Sequence, residues 1–155
     1  MPTRMPTLAA MRRTCDPDTD QQGQVRLLFI RDAARIGLVQ SASENANHAD
    51  QFLARYLADM IIDVGAPAVV VLVSRAEGRP THSDRQLWAM LVDLLAPTTT
   101  TVLDLVAIGP EKAWSVRRSR PLNPPRRRPA VRRRRATRAG QPNAARKSAS
   151  RATAP

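Results

Sequence analysis

The stretch VVVLVSRAEGRPTHSD, residues 69 to 84, gathers polar groups that chemistry could use. A run of valines opens into a loop with Arg75, Glu77, Gly78, Pro80 and Thr81, followed by His82, Ser83 and Asp84. A strand that delivers a polar loop to the start of a helix is where α/β proteins commonly place ligand and catalytic groups. Three chemistries can be weighed. A cysteine-cluster metal site is excluded because Cys15 is the only cysteine, and a metal site built on His82 would have His48 as its only other imidazole. A nucleophile would need a base at its side, and no serine here has a histidine at a diagnostic spacing. The glycine patterns that cradle phosphates or dinucleotides are absent. The simpler reading makes Glu77 and Asp84 solvating residues of a surface loop, with Asp84 favoured by the helix dipole and Ser83 with Gln86 as a capping-box pair. Glu44 lies upstream, where a general base would be sought, but nothing fixes its register.

The elements that would position this loop are legible on both sides. VRLLFI at 25–30 and IGLVQ at 36–40, joined by a polar turn, suggest paired strands. Phe52, Leu53, Tyr56, Leu57, Met60, Ile61 and Val64 recur at spacings of three and four, predicting a helix capped by Asp50 and closed by Gly65. AVVVLV at 68–73 is β-branched without alternation, the pattern of a central strand covered on both faces. Leu87, Trp88, Leu91, Leu94 and Leu95 form a second helical stripe ending at Pro97, and TVLDLVAIG at 101–109 with AWSVR at 113–117 read as a closing strand pair. The order β, β, α, β, α, β, β describes one α/β domain over 25–117.

Charge divides the chain sharply. Residues 1–116 carry 11 Arg or Lys against 13 Asp or Glu, whereas residues 117–155 carry 14 basic residues and no acidic one. The whole excess of the net charge of +12 therefore sits in an Arg, Pro and Ala-rich tail. Residues 118–155 have almost no large apolar side chain to bury and are expected to be disordered; residues 1–24 read as a mobile leader. The lone cysteine fits a reducing cytoplasm, and no apolar run approaches the roughly 18 residues of a membrane span or the apolar stretch of a secretion signal.

The frame AVVVLVSRAEGRPTHSDRQL resembles the JAB/MPN metalloprotease-like domain of the RadC family, in which a strand ends in His-x-His-Pro-Ser-Gly and an Asp follows eleven positions after the second His. Gly78, Pro80, Thr81 and Ser83 fall on the family's loop positions. FIRDAARIGLV is similar to its early strand-turn-strand, LDLVAIG to its Leu-Asp-His-x-x-x-Gly strand with Leu105 in place of the histidine, and AWSVR to its closing Ser-Phe-Arg stretch. The resemblance covers roughly residues 25–117 and implies a JAB/MPN-like, cytidine-deaminase-like sheet flanked by helices. It also implies a bacterial protein associated with DNA repair.

In the intact family two imidazoles and a carboxylate hold a zinc that activates water. Here the ligand positions carry Val73, Arg75 and Gln86. A valine has no donor atom, an arginine brings a fixed positive charge, and an amide is a poor zinc ligand, so the resemblance implies a degenerate metal site, no cofactor and no catalytic residue. The expectation is a pseudoenzyme: a non-catalytic accessory module whose tail, through Arg126, Arg127, Arg128, Arg132, Arg133, Arg134 and Arg135, binds DNA phosphates without reading sequence. Alternatives stand beside it: a metal-dependent isopeptidase- or peptidase-like hydrolase with a ligand set other than the family's, with His82 as a replacement ligand, or a decaying paralogue. The tail has a silent reading too, as the translation of GC-rich sequence beyond a lost stop codon or a frameshift.

Overall fold

The computed structural model describes residues 2–16 and 20–122. Its elements run α1 (Leu8–Arg12), β1 (Gln24–Asp32), β2 (Arg35–Asn45), α2 (Gln51–Val64), β3 (Ala68–Ser74), α3 (His82–Leu95), β4 (Thr101–Ile108), β5 (Ala113–Ser115) and β6 (Arg120–Pro121). Residues 123–155, with the arginines from Arg126 to Arg135 and the expectation of disorder, lie outside the described residues.

One six-stranded mixed sheet, in the order β2-β1-β3-β4-β5-β6, carries the fold. Only β3 and β4 are parallel, with Ser74 opposite Ile108 at their C-terminal ends. The other neighbours are antiparallel, including the β1–β2 hairpin around Ala33 and Ala34. Every residue from Ala68 to Val73 is buried, as the valine run implies for a strand covered on both faces.

Two apolar layers do the covering. On one face α2 and α3 pack Leu53, Leu57, Ile61, Leu87 and Leu91 against Phe29, Val71 and Leu105. Each such Leu or Ile contributes roughly 1.5–3 kcal/mol by leaving water. Asp50 caps α2 by accepting from the Leu53 N–H, and Gly65 closes it at φ 65°. The buried stripe of α2 includes Ala54 and Ala58 and is rotated away from Phe52, which is 70 % exposed although the spacing placed it with the core.

The opposite face is where the structure departs most from expectation. The segment read as a mobile leader contains α1, and Met11 is buried beside Leu28, Ile30, Val70 and Val106, with Met5, Leu8 and Cys15 packed around it. The Arg12 guanidinium donates to the carbonyls of Gly109 (2.7 Å) and Pro110 (2.6 Å), and the Arg4 N–H donates to the Ala33 carbonyl. Without this cover a sheet face of Leu, Ile and Val would meet water, so the segment belongs to the folded unit. The sheet also runs past Arg117: β6 pairs with β5, and Leu122 reaches the second apolar layer.

Asp104, on β4, is a carboxylate inside this sheet, 1 % exposed. It accepts from the Ser115 hydroxyl and from the Arg117 N–H (3.0 Å). Burial raises its pKa above the ordinary value, only partly opposed by these donors. Because the folded value lies above the unfolded one, the stability linked to this group is present at low pH and lost as pH rises through the folded value. Asp104→Ala, which orphans both donors, should cost roughly 1–3 kcal/mol. With Asp104→Asn, which cannot ionise, urea unfolding should show the parent gaining on the variant as pH falls from about 7 to about 4; a constant gap would contradict this.

Candidate functional site

The C-terminal ends of β3 and β4 collect the β1 start, the β2–α2 connection and the N-terminus of α3. Gly23 donates its N–H to the Ser74 carbonyl (2.7 Å), Ala46 donates to the Gly23 carbonyl (2.7 Å), and Arg75 donates its N–H to the Ile108 carbonyl (2.9 Å). The loop after β3 lies so close to the β4–β5 turn that only glycine fits at its contact. Gly78 has φ 62°, and a Cβ there would meet the Lys112 carbonyl oxygen at 2.1 Å. On the other side of the turn, a Cβ at Gly109 would sit 2.6 Å from the Arg75 carbonyl oxygen.

At the centre is Arg75. Its side chain is 4 % exposed and that of Asp84 is fully buried. Arg75 Nε donates to Asp84 Oδ2 (2.9 Å), Nη2 donates to Asp84 Oδ1 (2.5 Å) and to the Ala46 carbonyl (3.0 Å), and Nη1 donates to Asn47 Oδ1 (2.9 Å). The fork therefore ties the β3 end to both the β2–α2 connection and the first turn of α3. Bidentate pairing of this kind is the strong form of an ion pair, because the planar guanidinium matches both carboxylate oxygens.

The helix start explains why Asp84 is available. Thr81 is the N-cap: its hydroxyl accepts from the Asp84 N–H (3.3 Å), while Asp84 Oδ2 accepts from the Thr81 N–H (2.8 Å). The capping box is thus Thr81 with Asp84, not Ser83 with Gln86, and the helix begins two residues earlier than that pair implied. Ser83 lies within the first turn and donates to the Asn47 carbonyl (3.2 Å). Asp84 is correspondingly no solvating surface residue; it has three bonds in the interior.

The three positions that the resemblance aligns with metal ligands lie in different surroundings. Val73 is in the core below α2 and α3, Arg75 is engaged as described, and Gln86 is exposed on the outer side of α3, two residues around the helix from Asp84. His48, His82, Glu44 and Glu77 are exposed. Among the described residues no group of three His, Cys, Asp or Glu side chains is placed to hold a metal ion. The residues present do not fit a zinc. A permanent cation fills the space between loop and helix, and both oxygens of the one carboxylate there are already bonded. The chain matches no protein-family model and no curated protein.

A cavity of about 540 Å³ lies on the leader side of the same strand ends, bordered by Arg12, Cys15, Gln22, Ser74, Ile108 and Gly109. Burial pushes the half-buried Cys15 thiol up, which keeps it protonated and a poor nucleophile at neutral pH. The neighbouring Asp20 carboxylate pairs with the Arg26 guanidinium, fastening the end of the leader to β1. Among the described residues no helix is long and apolar enough to cross a membrane.

The spacing of Arg75 and Asp84 offered a signal, since an arginine ending a buried strand needs a partner within reach. Asn47, Gln22 and Arg12 gave none, because their contacts join segments far apart in sequence. Replacing Arg75 by Ala should cost about 3–5 kcal/mol by stranding a buried carboxylate. The double replacement Arg75→Met with Asp84→Leu should recover most of that loss in thermal unfolding. An unchanged melting temperature for Arg75→Ala would mean that the guanidinium holds nothing together.

Proposed function

We propose that the chain is a RadC-like JAB-type domain whose metal centre has been replaced by an internal ion pair, and that it serves as a non-catalytic accessory module associated with DNA. The observation that carries this reading is the buried Arg75 guanidinium on Asp84. It spans the loop after β3 and the first turn of α3, the two segments that a zinc joins in the family the sequence resembles. A strand order with one parallel pair between antiparallel neighbours, and helices packed on the sheet, suits that domain type. An arginine in this place keeps the loop closed and cannot activate water, so the fold is retained as a scaffold without a resident cofactor.

DNA enters through charge. Residues 117–155 bring 14 basic residues and no acidic one to a domain that is otherwise slightly acidic. Such a segment binds phosphate backbones by releasing counterions and reads no base sequence. It has no aromatic side chain on which bases could stack.

Binding of the full chain to short duplex DNA, followed as salt is raised, tests the proposal. Seven phosphate contacts predict a loss of roughly a thousandfold or more between about 50 and about 200 mM salt. Changing Arg126–Arg128 and Arg132–Arg135 to Gln should abolish the binding, and a chelator should leave the melting temperature unchanged. Peptidase or isopeptidase activity that disappears on chelation would overturn the non-catalytic reading, and the absence of DNA binding would remove the association with DNA.

A further inference from the structure

The cavity on the leader side lies outside the carboxyl ends of the parallel pair β3 and β4, the place where open α/β sheets take their ligands. At about 540 Å³ it falls within the roughly 300–1,000 Å³ of small-molecule sites. Ser74 and Ile108 border it from the sheet, and Ala76, Pro110 and the half-buried Cys15 extend its wall. Ser74 continues the alternation of Val70 and Leu72, which puts its hydroxyl on the α1 side of the sheet. An apolar molecule entering this space would exchange water for hydrocarbon.

The polar groups around it are unbalanced. Its backbone carbonyls are largely taken: that of Ser74 accepts from the Gly23 N–H (2.7 Å), that of Ile108 from the Arg75 N–H (2.9 Å), and those of Gly109 and Pro110 from Arg12 Nη1. The one carboxylate on its border, Asp20, has both oxygens on the Arg26 guanidinium. Donors are left over. Arg12 Nε and Nη2 and the Ser74 hydroxyl have no acceptor among the described residues, and Gln22, whose Oε1 accepts from the Ala76 N–H (2.9 Å), keeps its amide N–H groups uncommitted. With Asp20 paired to Arg26 and Arg75 to Asp84, Arg12 is the one charge on this border without a counterion among the described residues.

We propose that this cavity binds a small monocarboxylic acid with an apolar body. The carboxylate lies against the uncommitted edge of the Arg12 guanidinium, with the Ser74 hydroxyl as a further donor, and the body fills the space beside Ile108 and Pro110. A guanidinium edge takes both oxygens of a carboxylate at once, a pairing that an uncharged amide or alcohol does not reproduce. The apolar wall in turn selects against small hydrophilic anions, because it offers them nothing in exchange for their water.

Titration of the full chain with naphthoate, followed by nitrogen-15 NMR at neutral pH and physiological salt, gives the test. The amide signals of Ser74, Ile108 and Gly109 should move. Naphthamide, the uncharged counterpart, and acetate, which lacks the body, should each bind at least about tenfold more weakly. Arg12→Met should weaken naphthoate binding at least about tenfold, and Ser74→Ala about fivefold. Arg12 also fastens the N-terminal segment, so if its replacement lowers the melting temperature, Ser74→Ala, which leaves that anchor in place, decides. Cys15 is the only cysteine, so its alkylation by iodoacetamide reads occupancy and should slow as naphthoate fills the cavity. Shifts confined to the arginines of the tail would place naphthoate on the polycation and overturn the proposal. So would equal affinity for naphthoate and naphthamide, binding indifferent to both variants, or Cys15 alkylation at an unchanged rate.

Discussion

A guanidinium taken out of water must have its donors satisfied, and much at this end of the molecule follows from where Arg75 finds its acceptors. Arginine stays charged at any accessible pH, so neutralisation is no escape from the cost of burial. Both Asp84 oxygens, the Ala46 carbonyl and Asn47 Oδ1 surround it, from two separate stretches of chain. Such a pair adds little net stability beyond what well-packed apolar residues would provide. What it specifies is geometry, because the planar fork accepts few arrangements of its partners. The start of α3, the path of the β2–α2 connection and the end of β3 are thereby held in one arrangement.

That arrangement also depends on close backbone approach. Gly78 and Gly109 let the loop after β3 lie directly on the β4–β5 turn, and Arg12 of the N-terminal segment closes the same turn from the other face. The N-terminal segment has a second role, since Met11 and its neighbours complete the apolar layer opposite α2 and α3. One sheet end is thus fastened by side chains on both faces, with a buried ion pair on one and a short helix covering the sheet on the other.

Much of this was legible in the residues, in proportion to how local the physics is. The α2 stripe with Asp50 and Gly65, and the buried run of β3, depend on periodicity and caps within a few residues, and both stand as read except at Phe52, which faces solvent. The start of α3 was misplaced by two residues because Ser83 with Gln86 is as good a local cap as Thr81 with Asp84. What decides between them is the pull of Arg75 on Asp84, nine residues apart and visible only in three dimensions. The same two residues separate Gln86, exposed, from Asp84, buried. Met5, Leu8 and Met11 recur every three residues in the leader, a helical signal overshadowed by the prolines and acidic residues around them.

The buried pair of Arg75 with Asp84 holds the loop after β3 on the first turn of α3. The most direct test is the exchange rate of the Arg75 side-chain Nε–H with water, followed by nitrogen-15 NMR at neutral pH in the full chain. The Nε–H of an exposed arginine exchanges rapidly, whereas one bonded to a buried carboxylate is shielded from water and hydroxide. The account predicts a strongly protected Arg75 Nε–H, lost on replacing Asp84 by Asn. An Arg75 Nε–H that exchanges as fast as those of the exposed arginines would contradict it.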